Sequence, residues 1–164
     1  MAKLADLPVV EVTADIAASP HFVWALVSDI NLPAQFQDEF TGAEWVDEGD
    51  VTVGSRFVGR NQRGDWNWET TSWVLEYEPE RAFSWAVSDQ HDPGAIWTFR
   101  LEPTADGTRL TFHRQLGPGW SGIKRMVERN PENEEEIIAA RDAEHRANMQ
   151  AVVDGVKVLA ESKS

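Results

Sequence analysis

The chain changes its period near Leu116. From Arg56 to Leu116, Trp, Phe and Val recur mostly at every second position between short polar turns. From Pro131 to about Ala160 the apolar residues recur at helical spacing without a break. Successive side chains on a strand point to opposite faces, so the alternating stretch predicts a sheet with one covered face. The late stretch predicts an amphipathic helix, whose apolar stripe must lie against something. A curved antiparallel sheet wrapped around one long C-terminal helix satisfies both demands. Such a pairing often leaves a hollow between sheet and helix.

Period and punctuation place the elements. Val10, Val12, Ala14 and Ile16 alternate with Glu11, Thr13 and Asp15, predicting a first strand. Ser19-Pro20 reads as an N-cap with proline at the first helical position, and Val23, Leu26, Val27 and Ile30 follow at helical spacing. After Asn31-Leu32-Pro33 a short second helix is expected through Phe36. Six strands follow, at about Gly42–Val46, Ser55–Asn61, Trp66–Tyr77, Arg81–Val87, Ala95–Glu102 and Thr108–Leu116. The connecting turns carry Gly54, Arg63-Gly64-Asp65, Glu78-Pro79-Glu80, Asp92-Pro93-Gly94 and Ala105-Asp106-Gly107. Gly117-Pro118-Gly119 ends the sheet. A short helix near Ser121–Arg129 then leads into the long one, expected over about 131–160, whose acidic first turn suits the helix dipole. No internal repeat, low-complexity segment or second domain is visible, so residues 1–164 are expected to form one α+β domain.

That element order, with the stretches "ASPHFVWALVSDINLPAQF", "VGSRFVGRNQRGDWNWETTSWVLEYEPERAFSWAV", "GAIWTFRLEP" and "GTRLTFHRQL", resembles the START-like, or SRPBCC, superfamily. The resemblance covers nearly the whole chain and is nearest to the polyketide cyclase/dehydrase-like branch. It implies the helix-grip fold shared with the birch pollen allergen. The superfamily holds ligand carriers, cyclases and lipid-transfer domains, so the fold alone does not assign an activity.

Composition narrows the partners. A hydrophobic fraction of 41% over 164 residues is enough for a real core and too high for a disordered chain. The absence of cysteine excludes disulfides, thiolate zinc sites and a Cys nucleophile. No apolar run approaches the roughly 20 residues that span a bilayer. The segment Met1–Pro8 is too short and too charged for a signal peptide, so a cytoplasmic location is expected. A net charge of −13 argues against nucleic acid and anionic membrane, both of which need a basic face.

Strand parity selects the covered face. Phe83, Trp85 and Val87 share one side of their strand, Trp97, Phe99 and Leu101 another, and Leu110, Phe112, Arg114 and Leu116 a third. Hairpin pairing across Gln62–Asp65 puts Phe57, Gly59 and Asn61 on the same side as Trp68, Thr70, Ser72 and Val74. The candidate ligand contacts on this face are Phe57, Asn61, Trp68, Thr70, Ser72, Trp85, Trp97, Phe99 and Phe112. The eight tryptophans have two readings: plain core, or, for Trp68, Trp85, Trp97 and Trp120, walls of a pocket for a planar guest. Asn61, Thr70, Ser72 and Arg114 are polar on a covered face, which costs free energy unless they are hydrogen-bonded. Arg114 has two readings as well: an ion pair with Glu69 or Asp142, or contact with a ligand oxygen.

On the long helix, Ile138, Asp142, His145, Met149, Val152, Val156 and Leu159 form one stripe by steps of three and four. His145 is either a polar residue at the rim of that stripe or a proton donor or acceptor at the cavity mouth, oriented by Asp142. Met149 joins the ligand-contact set. The pair Asp142 and His145 lacks the partners of a di-iron carboxylate site, and His21, His91 and His113 show no metal-ligand spacing, so no metal and no cofactor is expected. No phosphate loop, dinucleotide fingerprint or nucleophile elbow is present.

Three classes of function stay open. The first is binding or carriage of a small hydrophobic, ring-containing molecule. The second is a cyclase, aromatase or dehydratase acting in the same cavity, with Arg114 and His145 as its catalytic groups. The third is an interaction module, for which no large apolar surface pattern is visible. The first is the favoured expectation, for a monomer or a homodimer.

Overall fold

The computed structural model describes residues 2–163. A 3-10 turn at Leu4–Asp6 precedes β1 (Val9–Ile16), then come α1 (Pro20–Val27), a second 3-10 turn at Leu32–Gln35, and β2 (Phe40–Trp45). Five strands follow: β3 (Arg56–Arg63), β4 (Trp66–Glu78), β5 (Ala82–Val87), β6 (Ala95–Thr104) and β7 (Gly107–Leu116). The chain ends with α2 (Gly122–Arg129), a 3-10 turn at Pro131–Asn133 and the 30-residue α3 (Glu134–Lys163). All seven strands form one antiparallel sheet in the order β1-β7-β6-β5-β4-β3-β2. This is the α+β helix-grip architecture expected from the sequence, with one 3-10 turn in place of the second short helix.

Local chemistry accounts for the elements. Along β1, Val10, Val12 and Ile16 are buried while Glu11, Thr13 and Asp15 are exposed, as strict alternation requires. Pro20 opens α1 behind an extended Ser19, whose side chain makes no capping hydrogen bond. At α2 the cap is complete, since Ser121 Oγ accepts from the Lys124 amide at 3.1 Å. The β3–β4 hairpin turns on Gly64 at φ 63°, which sets Asn61 opposite Trp68, Gly59 opposite Thr70 and Phe57 opposite Ser72.

One irregularity changes the parity of the sheet. Register slips between Val74 and Glu76 on β4, so Val74 faces Trp85 while Tyr77 faces Phe83. Tyr77 is thereby turned inward, edge-on to Trp24 at 5.2 Å and to Phe83 at 5.4 Å. Parity counted from Trp68 holds as far as Val74 and reverses beyond it.

The hollow follows from where α3 lies. That helix packs on β1, β7, α1 and α2, and α1 also covers β6 and β7. Phe99, Leu101, Leu110, Met149, Val152, Val153 and Val156 fill the space under this cover. The concave face of β3, β4 and β5 stands opposite, and it is filled only in part, where Phe57, Val74 and Phe83 pack with Ile30 and Ala43.

Candidate functional site

Between that concave face and α3 lies a cavity of about 640 Å³. Phe57 and Trp85 line it from β3 and β5, Trp97 and Phe112 from β6 and β7, and Met149 from α3. The aromatic walls interlock: Trp97 lies 5.5 Å from Phe112, and Phe57 lies 5.9 Å from Trp85. Trp68 lines the cavity toward the hairpin tip, stacked on Trp66 at 4.5 Å. Asn61, Thr70 and Ser72 stand in a row along β3 and β4, and among the described residues their side chains have no hydrogen-bond partner in the protein.

Half-exposed Trp66, Trp120 and Met126 line the outer part of the cavity. A methyl group on Gly122 would lie 3.7 Å from the Trp66 ring, so the hairpin tip and the start of α2 are in near contact there. Trp120 is placed by backbone packed against backbone. A Cβ on Gly94 would fall 2.2 Å from the Trp120 carbonyl oxygen, and one on Gly119 would fall 1.8 Å from the Asp92 carbonyl oxygen. Only glycine permits that approach.

Arg114 is fully buried and does not line the cavity. Its Nη1 lies 2.8 Å from His145 Nδ1, its Nη2 donates to the Pro8 carbonyl at 3.1 Å, and Nη2 also lies 2.9 Å from Asp142 Oδ1. The Asp142 contact is an ion pair without hydrogen-bond alignment, and Arg114 Nε has no partner. Of the two carboxylates considered from the sequence, Asp142 supplies the counter-charge, while Glu69 is exposed on the far face of the sheet. Burial lowers the Arg114 pKa from its ordinary value, and the adjacent negative charge of Asp142 opposes that loss.

His145 is buried and lines the cavity, its ring edge-on to Trp97 at 5.2 Å. Burial, and then the cations Arg141, Arg114 and Arg63, hold its pKa well below the ordinary imidazole value. Its orienting partner is Arg114 rather than Asp142, which sits one step further along the chain of contacts.

The sequence reading missed a second cluster. Arg141 donates to both oxygens of Glu39, at 2.7 and 2.6 Å, and to Glu144 Oε2 at 2.7 Å. Arg63 forks onto both oxygens of Glu144, through Nε at 3.0 Å and through Nη2. All four residues line the cavity. Burial pulls the Arg141 pKa down, but the two carboxylates outweigh it and the net change is upward. Burial likewise raises Glu144, and its two arginines overcome that and leave it low. The only local signal was the i,i+3 spacing of Arg141 and Glu144 on α3; Glu39 is 102 residues away.

Of the residues singled out from the sequence, Phe57, Asn61, Trp68, Thr70, Ser72, Trp85, Trp97, Phe112, His145 and Met149 line the cavity. Phe99 does not: it lies in the filled core, stacked on Phe112 with centroids 4.0 Å apart and planes 14° apart. Among the described residues no group of three or more His, Asp or Glu side chains could hold a metal ion. None of the described helices is long and apolar enough to cross a membrane.

The family model for polyketide cyclase / dehydrase and lipid transport matches residues 8–155. The chain belongs to this family. Solved structures place the family resemblance on the same fold. A polyketide-cyclase-like protein of Corynebacterium glutamicum is 28% identical, with 94% of this chain and 92% of that one covered at a TM-score of 0.70. The Zhui aromatase/cyclase from Streptomyces sp. R1128 is 20% identical, with 94% and 93% covered at 0.68. Ara h 8.0201 is 12% identical, with 91% and 97% covered at a TM-score of 0.60, and shares the fold. Among the curated proteins nothing matches.

Proposed function

We propose that this family member binds and carries a small hydrophobic, ring-containing molecule in the cavity between sheet and helix. One observation carries the reading: a cavity of about 640 Å³ lined by five indoles and by a row of polar side chains that the protein does not satisfy. An apolar pocket with a few placed polar groups is the usual make-up of a small-molecule site. Unpaired hydroxyls and amides on such a wall are stabilised by a guest or by water. The acidic surface and the cysteine-free composition fit a carrier working in the cytoplasm.

Titration with N-phenylnaphthylamine, an uncharged probe that brightens in apolar surroundings, tests this. Binding should saturate and quench tryptophan emission, and Trp68→Ala and Trp85→Ala should each weaken it. Unchanged binding in both variants would remove those indoles from the site.

A second reading, cyclase or dehydratase chemistry, is favoured by His145, which brings an imidazole to the cavity wall. In that case Arg114→Gln and His145→Asn lower turnover of a polyketone more than they lower binding. Normal binding with no turnover by the wild type leaves the carrier reading.

A further inference from the structure

The contact between Arg114 and His145 has a directional consequence. A guanidinium carries only donors. The 2.8 Å contact from Arg114 Nη1 therefore requires His145 Nδ1 to accept, so that nitrogen bears no proton. The remaining proton of a neutral imidazole then sits on Nε2. That atom has no protein partner among the described residues, while the side chain lines the cavity. Asp142 and the Pro8 carbonyl hold the guanidinium in place from its other side.

Building on the proposed ligand-binding reading, we infer that Arg114 is a positioning residue that locks His145 as a neutral Nε2–H donor, and that this donor selects ring ligands bearing a carbonyl or enolate oxygen. The surroundings agree. Arg114 on β7, Arg141 on α3 and Arg63 on β3 all disfavour a second proton on the ring. Of the α3 carboxylates near it in sequence, Asp142 is engaged by Arg114, and Glu144 by Arg63 and Arg141. A neutral imidazole held in this way can polarise a carbonyl. It cannot collect a proton at Nε2, which is already protonated, and to give that proton up it would have to become an imidazolate. The role assigned is thus hydrogen-bond donation to an acceptor oxygen and not proton shuttling, which revises the acid/base role that the sequence suggested for His145.

A matched pair of probes separates this inference from the reading beneath it. Fluorene and fluorenone share one ring system, and only fluorenone carries the acceptor. Each is competed against N-phenylnaphthylamine. His145→Leu should weaken fluorenone about five- to tenfold relative to fluorene, the size expected for one neutral hydrogen bond. Arg114→Met should lose the same preference while fluorene still binds, and Arg114→Lys, which keeps a donor, should restore it. A merely structural role for Arg114 would weaken both probes alike. The tautomer needs no variant: a long-range proton–nitrogen correlation spectrum of the wild type at neutral pH should show His145 protonated at Nε2 and bare at Nδ1. A proton on Nδ1, or an unchanged fluorenone-to-fluorene ratio in H145L, overturns the inference. Failure of fluorene to bind the wild type overturns the cavity reading instead.

Discussion

Arg114 Nη1 lies 2.8 Å from His145 Nδ1, a buried cation donating to a buried imidazole that must therefore stay neutral. The guanidinium also reaches the Pro8 carbonyl just before β1, so one side chain on β7 joins the sheet edge to α3. This arrangement makes folding sensitive to mild acid. In the unfolded chain a histidine titrates near about pH 6.5. In the folded protein His145 titrates well below that, chiefly because it is buried. Below about pH 6.5 the unfolded state then binds more protons than the native state, and stability falls by up to about 1.4 kcal/mol per pH unit. Asp47, Asp89, Glu144 and Glu161 are also lowered, but carboxylates act nearer to about pH 4. Urea midpoints measured from pH 7 to 5 should therefore decline for the wild type, with a smaller decline in His145→Leu. A wild-type midpoint that stays flat over that range contradicts the buried neutral imidazole.

Two aromatic truncations should separate core from cavity. Phe99 stacks on Phe112 in the filled core, so Phe99→Ala is expected to remove about 3–5 kcal/mol of stability. Trp68 is half-buried on the cavity wall, so Trp68→Ala should remove about 1 kcal/mol or less while weakening probe binding. Urea unfolding and probe titration on both variants check the contrast.

The ion network should matter to stability more than an ordinary surface pair. The side chains of Arg141 and Glu39 are only 15% and 17% exposed, so removing the cation leaves the Glu39 carboxylate with little water and without its counter-charge. Arg141→Ala should therefore cost about 1–3 kcal/mol in urea unfolding, whereas breaking the exposed Arg109–Asp15 pair should cost about 0.5 kcal/mol or less.

The fold was legible because its signals are local. Alternation marks the strands, Arg63-Gly64-Asp65 marks the hairpin, and the change of period marks α3. Parity places Phe57, Thr70, Ser72, Trp85 and Trp97 on one face because each strand keeps its phase over that distance. It fails where the reason is not local. Tyr77 turns inward through a bulge that no residue type announces. Phe99 shares its face with Trp97, yet it lies in the filled core beneath α1, which packs on β6. Parity tells which side a residue takes, not whether a helix fills the space above it. Arg114 was rightly placed inside. Its position behind His145 depends on α3 meeting β7 at one depth, and the Glu39–Arg141 contact depends on loop and helix converging over a long sequence separation.

The central claim is that the hollow between sheet and helix holds the guest. Thr70 lines it from β4, so Thr70→Trp fills the hollow from within without touching Arg114 or His145. Titration of wild type and T70W with N-phenylnaphthylamine, alongside their thermal unfolding, tests the claim directly. Saturable one-to-one binding by the wild type, weakened at least about tenfold in a still-folded T70W, is the predicted result; tenfold corresponds to about 1.4 kcal/mol. Equal binding by both proteins, or no saturation in the wild type, would contradict it.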